Sequence, residues 1–144
     1  MGGLNGLEIR STITDDGKLT IDLQEVTLAP PGADEDIIMD EAAPINPSDL
    51  ALLLGPADLS TIEQTGTADR PALTFSVSPA GVAAMRKRLG LSLAVGTEGA
   101  GTVIDAGDNA RTLVGRKVAA MGGGMYAQYR KLNVREVVEL PHGT

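Results

Sequence analysis

The pattern of hydrophobic and polar residues along the 144-residue chain begins as strict alternation. Apolar and polar residues alternate over 7–13 and again over 19–28, and the Asp16-Gly17 pair between them is a strong hairpin signal. The sequence therefore predicts a β-hairpin, followed by a third strand over 36–45. The acidic run 34–36 comes after a Pro/Gly-rich stretch, and its charge predicts a solvated loop.

Helical signals are short and lie in the middle of the chain. Ser48 is the predicted N-cap of one helical turn over 49–54. Residues 55–72 are rich in Gly, Pro, Thr and Asp and are predicted to form a loop, and 73–77 a short strand. A second helix is predicted over 78–90, because it begins with a Ser-Pro pair, has a basic last turn and ends at a glycine.

The second half of the chain returns to short apolar runs separated by glycine-containing turns. Further strands are predicted over 99–107, 116–121, 125–132 and 137–140. A repeating βαβ pattern is absent from the sequence, which disfavours a doubly wound parallel sheet. We therefore expect a mainly β fold with short helices, arranged as a small barrel or sandwich.

Composition narrows the functional classes. The chain has no cysteine, which excludes disulfides, thiolate catalysis and cysteine-based zinc sites. The net charge is −7, and the densest basic cluster is Arg86, Lys87 and Arg88, so nucleic acid and anionic membranes are unfavourable partners. The first residues lack the pattern of a signal peptide, and no apolar run reaches the length of a membrane span, so we expect a cytoplasmic protein.

Three features leave alternatives open. GGGMYA at 122–127 matches a variant of the dinucleotide-binding fingerprint, but a strand is predicted after it where the fingerprint needs a helix, which favours a packed turn. Glu98, between two glycines, is either a partly buried carboxylate with a partner or an exposed one at a strand edge. His142 is the single histidine and is expected to be exposed, because one histidine without cysteines cannot assemble a zinc site.

The order of the motifs is more specific than any one of them. The chain contains, in order, AAPINPSD at 42–49, VGTEGAGTV at 95–103, GRKV at 115–118, YAQY at 126–129 and LPHG at 140–143. This series resembles the N-terminal, GroES-like catalytic domain of the medium-chain dehydrogenase/reductase superfamily, and it is closest to the zinc-independent NADPH:quinone reductase-like branch. The resemblance implies a GroES-like, partly open β-barrel over residues 1–144, with the Rossmann cofactor domain absent from this chain.

The resemblance implies a cofactor-side segment in the first motif. Asn46, Pro47 and Asp49 would lie against NADP, which the missing domain would bind for the most part. Asn46 would also be a catalytic polar contact near the nicotinamide or the substrate. Asp49 would order the loop or form an ion pair.

The later motifs imply a substrate cleft. Thr97, Glu98 and Met125 would line it, and the hydroxyl of Tyr126 would be a catalytic hydrogen-bond donor to a substrate carbonyl. Asn46 and Thr97 stand where zinc-dependent members of the superfamily have a cysteine and a histidine ligand, so no zinc is expected.

The function that the resemblance implies is the substrate-side domain of an NAD(P)H-dependent, zinc-independent oxidoreductase. Such an enzyme reduces a quinone or an activated carbonyl or double bond by hydride transfer, and the isolated chain would be inactive. Its partner would be a small quinone or enone, with no nucleic acid and no membrane, and a homodimer of the full-length protein stays open. The alternative is a stand-alone GroES-like binding module without catalytic activity.

Overall fold

The structure is a computed structural model that describes residues 3–144. Its strands are, in chain order, β1 (Leu4–Thr14), β2 (Lys18–Leu28), β3 (Glu35–Ala42), β4 (Ala57–Gly66), β5 (Pro71–Val77), β6 (Leu93–Ala94), β7 (Gly99–Ala106), β8 (Lys117–Ala120), β9 (Tyr129–Asn133) and β10 (Val137–Glu139). Its helices are α1 (Pro47–Leu54), α2 (Pro79–Ala84) and three 3₁₀ turns, Arg86–Arg88, Asp108–Leu113 and Val134–Glu136.

The strands form two five-stranded sheets that do not close. One sheet has the order β4-β5-β2-β1-β6 and the other the order β10-β8-β7-β3-β9. The predicted mainly β fold with short helices is therefore confirmed. The chain divides into two compact units: unit 1 comprises the described residues 3–8, 25–45 and 96–144, and unit 2 comprises 9–24 and 46–95.

Unit 1 is built on the sheet in which β3 pairs with both β7 and β9 in antiparallel register. Apolar residues of this sheet face one core, whose buried members include Ile38 of β3, Val103 of β7, Val118 of β8 and Leu132 of β9. Close approach of β7 to β3 depends on Gly101, because an added Cβ there would meet the carbonyl oxygen of Met39.

Unit 2 packs its helices on the other sheet. Its core consists of Ile13, Leu19, Phe75 and Val77, and the residues packed against it include Leu54 of α1, Val82 of α2, and Met85 and Leu89 on either side of the following 3₁₀ turn. The second predicted helix is confirmed at its start, since the Ser78 side chain accepts a hydrogen bond from the Gly81 N–H at 3.1 Å. It is shorter than predicted, because α2 ends at Ala84 and the basic residues form a 3₁₀ turn.

One basic residue of that turn is structural and does more than suit a helix dipole. The Arg88 guanidinium donates to the Ser11 hydroxyl at 2.6 Å, and this hydroxyl donates to the Leu53 carbonyl at 2.8 Å. Ser11 is fully buried. The pair thus satisfies a carbonyl at the C-terminal end of α1, where helices leave unpaired acceptors.

Ser48 as the N-cap of the first helix is wrong. Helix α1 begins at Pro47 and its N-cap is Asn46. Proline is well tolerated at the first helical position because the N–H that it lacks has no partner there, and its φ already suits a helix. The cap therefore lies two residues earlier than Ser48.

The predicted loop over 55–72 is also wrong, because most of it is strand β4 and its turn into β5. Strand β4 lies at the edge of its sheet, and its register shifts between Asp58 and Glu63, which marks a bulge. Nearly all of its residues are exposed, so it has no alternating pattern that the sequence could reveal.

Two further expectations need correction. Asp36 does not belong to a solvated loop: it lies in β3 and is fully buried. The strand predicted over 125–132 begins only at Tyr129, and the residues before it are irregular apart from an isolated bridge between Glu8 and Ala127. In the described part of the chain the element after the GGGMYA motif is strand β9 and not a helix, so the motif lacks the context of a dinucleotide fingerprint.

Candidate functional site

Two loops of unit 1 meet at the residues predicted to line the cleft. The first precedes β7 and contains Gly96 and Thr97, and the second is the glycine loop, defined here as Gly122–Gly124, which lies between β8 and β9. The Met125 N–H donates to the Gly96 carbonyl at 3.0 Å, and the Gly123 N–H donates to the Thr97 carbonyl at 3.3 Å. Backbone hydrogen bonds therefore join the second sequence motif to the residues that directly precede the fourth.

The contact between the loops requires glycine at position 96. Gly96 is buried and has a φ of +102°, in the region that L side chains rarely adopt. A Cβ on this residue would lie 2.7 Å from Cδ1 of Tyr126. The missing side chain thus makes the space in which the Tyr126 ring packs.

Tyr126 also contacts the first motif. Its hydroxyl donates to the Pro44 carbonyl at 2.9 Å, although the residues are 82 positions apart in sequence. The ring is half-buried. The hydroxyl hydrogen is thus directed at the protein backbone, whereas the prediction directs it at a substrate carbonyl.

The other predicted cleft residues differ in exposure. Thr97 is exposed and Glu98 is half-buried, whereas Met125 is 1% exposed and belongs to the core of unit 1. Of these three residues, Met125 lines an open depression of about 220 Å³, together with Asp40, Glu41, Ala42, Ala43, Tyr126 and Ala127. Met125 and Tyr126 therefore share one surface feature, and that feature also contains the end of β3.

The cofactor-side prediction falls on the start of α1 in unit 2. The Asp49 carboxylate accepts a hydrogen bond from the Asn46 N–H at 2.9 Å, and Asp49 is 2% exposed. The N–H groups of Asp49 and Leu50 donate to the Asn46 carbonyl at 3.0 and 3.1 Å. The three-residue spacing of Asn46 and Asp49 is thus that of a capping box, which fixes the backbone at both residues. The Asn46 side chain is half-buried on this fixed backbone.

Asp40 lines the same depression as Met125 and Tyr126, and it was not predicted from the sequence. Both of its carboxyl oxygens are buried without a hydrogen-bond partner among the described residues. Burial raises its pKa to about 7, although the positive charge of Arg130 acts in the opposite direction. A usable signal existed in the sequence, since Asp40 interrupts the apolar run of β3 at a position that is not a turn.

Arg130 was missed as well, and it contacts the glycine loop directly. Its Nε donates to the Gly123 carbonyl at 2.8 Å and its Nη2 to the Gly122 carbonyl at 3.4 Å. Its Nη1 donates to the Lys131 carbonyl at 2.9 Å. All three guanidinium nitrogens therefore bind backbone carbonyls, an arrangement that no sequence pattern predicts.

A second buried carboxyl lies on the same strand. Asp36 is fully buried, and its two oxygens likewise have no hydrogen-bond partner among residues 3–144. Burial, with a smaller contribution from the nearby carboxylate of Glu136, raises its pKa to about 6. Strand β3 thus holds two carboxyl groups whose pKa values lie above the usual range of an aspartate.

The donor set does not fit zinc. The chain has no cysteine, and within residues 3–144 no three His, Asp or Glu side chains are grouped as metal ligands would be. The single histidine, His142, is exposed and its Nε2 lies 3.0 Å from a guanidinium nitrogen of Arg116.

Among the described residues, no helix has the length and apolar character needed to cross a bilayer.

Comparison with known proteins relates this chain to solved oxidoreductase structures. A protein from Bacillus thuringiensis described as an NADPH:quinone reductase matches at 24% identity and a TM-score of 0.60, over 96% of this chain and 34% of that one. The CurK enoyl reductase matches at 18% identity and a TM-score of 0.62, over 96% of this chain and 36% of that one.

The Escherichia coli quinone oxidoreductase, solved with NADPH, is also similar. It matches at 18% identity and a TM-score of 0.57, over 98% of this chain and 34% of that one. The chain spans about a third of the length of each of these structures. No family model and no curated protein matches the sequence. At these identities the likeness establishes the fold.

Proposed function

Because the chain has the GroES-like fold of the N-terminal part of medium-chain dehydrogenases/reductases, we propose that it is the substrate-side domain of an NADP-dependent oxidoreductase. The proposed reaction is hydride transfer to a quinone or to an activated carbonyl or double bond. The cofactor would be held mainly by a Rossmann domain beyond residues 1–144. The substrate would be a small molecule, and the protein would be cytoplasmic.

One observation carries the proposal more than any other. The loops that hold Thr97, Glu98, Met125 and Tyr126 are joined by the bonds from Met125 to Gly96 and from Gly123 to Thr97. Met125 and Tyr126 thus lie beside Gly96 and Thr97, and they also line an open depression. The carboxyl groups of Asp40 and Glu41 line the same depression, and a few polar groups on a concave surface are what orients a small-molecule ligand.

Asn46 is the residue that we assign to the cofactor ring. When bound, NADPH supplies the hydride, and the protein supplies orientation and exclusion of water. The Asn46 amide is a neutral donor and acceptor, and the capping box with Asp49 fixes the backbone that presents it. Pro47 restricts the same turn, so the backbone at Asn46 loses little conformational entropy when a ligand binds.

The cleft residues would have separate tasks. Exposed Thr97 and half-buried Glu98 would contact the substrate, since Met125 is buried and can present only the edge of its side chain. Tyr126 would orient the substrate with its ring. Its hydroxyl oxygen can still accept a hydrogen bond while its hydrogen binds the Pro44 carbonyl.

The reaction would proceed without zinc. Asn46 and Thr97 would occupy the positions of zinc ligands in metal-dependent relatives, and neither an amide nor a hydroxyl is a usual zinc ligand. Substrate polarisation would therefore depend on hydrogen bonds from the protein. We derive no catalytic step through a metal ion.

The test is consumption of NADPH with a quinone or an enone by the full-length protein, measured with and without a chelator. We expect turnover that the chelator leaves unchanged. Loss of activity on chelation would contradict the metal-free mechanism, and no turnover with any quinone or enone would contradict the proposed reaction.

A titration separates the enzyme from a binding module without activity. The 144-residue chain should not bind NADPH tightly, because the fingerprint motif at 122–127 lacks its helix. Full-length protein that contains a second, NADPH-binding domain favours the oxidoreductase. Full-length protein that neither binds NADPH nor turns it over favours the stand-alone module.

A further inference from the structure

We infer that Arg130 is the positioning residue of the glycine loop and, through this loop, of Met125 and Tyr126. The effect of this positioning on catalysis rests on the function proposed above. The effect of Arg130 on the order of the loop can be measured without cofactor or turnover.

The contacts of Arg130 are those of a clamp. Its guanidinium binds the carbonyls of Gly122 and Gly123 on one side and that of Lys131 on the other. The planar fork of arginine can hold several acceptors at once, which a lysine ammonium does with less geometric constraint. Within the described residues, Arg130 makes no ion pair with a carboxylate, so the backbone carbonyls are its main partners.

The glycine loop needs such a clamp. Gly123 and Gly124 have φ values of 73° and 65°, and a run of three glycines loses more backbone entropy on ordering than any other sequence. The loop is also held by the hydrogen bond from the Gly123 N–H to the Thr97 carbonyl, which is long at 3.3 Å. Removal of Arg130 would leave two loop carbonyls without their donor while the sheet beside them stays paired.

The backbone of Arg130 is held by the pairing of β9 with β3. Arg130 lies on β9 directly opposite Ile38 of β3, and Ile38 is fully buried in the core of unit 1. Asp40 lies two residues further along β3, and its unpaired carboxyl feels the charge of Arg130. The strand pair therefore fixes the direction in which the guanidinium points, and the loop takes its position from it.

Fluorescence gives a direct test, because the chain has no tryptophan and only two tyrosines. In a Tyr129→Phe background, Tyr126 is the sole tyrosine and reports on its own surroundings. We expect Arg130→Gln to raise the acrylamide quenching constant of Tyr126 by about twofold or more, since the loop that carries it is released. Arg130→Lys should give an intermediate value, because it keeps the charge but loses the fork.

Arg135→Gln is the matched control. Arg135 lies in the neighbouring 3₁₀ turn and is exposed, so the same chemical change there should leave quenching of Tyr126 as it was. Unchanged quenching in Arg130→Gln, or full retention of the original value in Arg130→Lys, would overturn the inference.

Amide hydrogen exchange covers the case in which Arg130→Gln does not fold. In the unsubstituted chain we expect the Met125 and Gly123 amides to be protected, and in Arg130→Lys we expect exchange at Gly123 to be about tenfold faster, as for a locally opened loop. Unprotected amides in the unsubstituted chain, or equal exchange in both, would contradict a clamped loop.

Kinetics of the full-length protein then separate the two hypotheses. Arg130→Lys should lower kcat with little change in KM for NADPH, since the loop would orient the substrate and leave the cofactor domain untouched. If substitution of Arg130 raises quenching of Tyr126 but the full-length protein has no reductase activity, the positioning role of Arg130 is supported and the proposed function is refuted. Released Tyr126 with unchanged kcat would refute the catalytic role of the clamp.

Discussion

The hydroxyl of Tyr126 and the carbonyl of Pro44 are joined by a hydrogen bond of 2.9 Å. Pro44 precedes the helix-capping turn, and Tyr126 follows the glycine loop. A tyrosine expected to face a substrate therefore also fixes a distant part of the backbone of unit 1.

Tyr126→Phe separates the structural role of this hydroxyl from a catalytic one. It should lower the free energy of unfolding by about 1 kcal/mol, the usual net worth of one hydrogen bond, and should lower kcat/KM by less than about tenfold. Chemical denaturation and steady-state kinetics measure the two effects. Tyr129→Phe is the control, since it removes a phenol hydroxyl for which no bond to Pro44 exists. A loss in kcat/KM of a hundredfold or more would show that Tyr126 donates its proton to the substrate.

Substitutions of Asn46 can separate helix capping from ligand contact. Asn46→Asp should preserve stability, because Asn and Asp cap helices equally well, and should raise the KM for NADPH several-fold because a carboxylate replaces the amide. Asn46→Ala should lower the free energy of unfolding by about 1 kcal/mol as well. Thermal unfolding and initial rates distinguish these outcomes. An unchanged KM in both variants would refute the proposed contact with the cofactor ring.

The buried carboxyl of Asp40 should make stability fall as pH rises. Its folded pKa of about 7 lies above the ordinary aspartate pKa of 3.8, so between these values the unfolded chain releases a proton that the folded chain keeps. The stability that comes from keeping this carboxyl protonated in the folded chain is fully present below pH 3.8 and is lost as pH rises through 7. Asp40→Asn should therefore stabilise the protein by about 2 kcal/mol at pH 8, with little effect below pH 4.

Urea denaturation at a series of pH values checks this prediction. Asp36→Asn should act in the same direction with its change complete by about pH 6, the pKa to which burial raises Asp36. Asp15→Asn is the control, because Asp15 is exposed. Destabilisation of Asp40→Asn at pH 8 would mean that the longer-range attraction between the Asp40 carboxylate and the positive charge of Arg130 outweighs burial.

Gly96→Ala should lower the stability of the protein by more than its positive φ alone accounts for. The substitution would cost about 1–2 kcal/mol for the backbone conformation, and the clash with Tyr126 adds to it. Gly115→Ala is the matched control, since Gly115 has a φ of 83° but nothing within 4 Å of an added Cβ. We expect melting temperatures to fall in the order unsubstituted chain, Gly115→Ala, Gly96→Ala. Equal losses for the two variants would argue against tight packing of Tyr126 on Gly96.

Much of the fold could be predicted where one face of an element is buried. The hairpin of β1 and β2 alternates because its apolar residues face a core, and the start of α2 carries the Ser-Pro pair that defines a helix N-terminus. Strand β4 could not be predicted this way, because exposure of both faces removes the pattern. The N-cap at Asn46 was missed because Ser48, a good N-cap type, stands two residues further on.

The residues of the candidate site come from the order of the motifs, and the structure adds the contacts between them. The resemblance selected Thr97, Glu98, Met125 and Tyr126, and the loops that carry them do meet. It could not predict that Arg130 holds the glycine loop. Every residue has a backbone carbonyl, so the type of the accepting residue does not show that its carbonyl binds an arginine. Nor could it predict that Asp40 is buried, since burial is a property of neighbouring strands.

The bulge in β4 has a consequence for solubility. A regular edge strand offers a continuous row of free N–H and C=O groups, which invites a strand from another molecule to add to it. Between Asp58 and Glu63 that row is broken, and the exposed apolar side chains of Leu59 and Ile62 lie within the break, flanked by two acids. The most exposed apolar stretch of the edge is thus the part least able to template aggregation, and a substitution that straightened it would remove that protection.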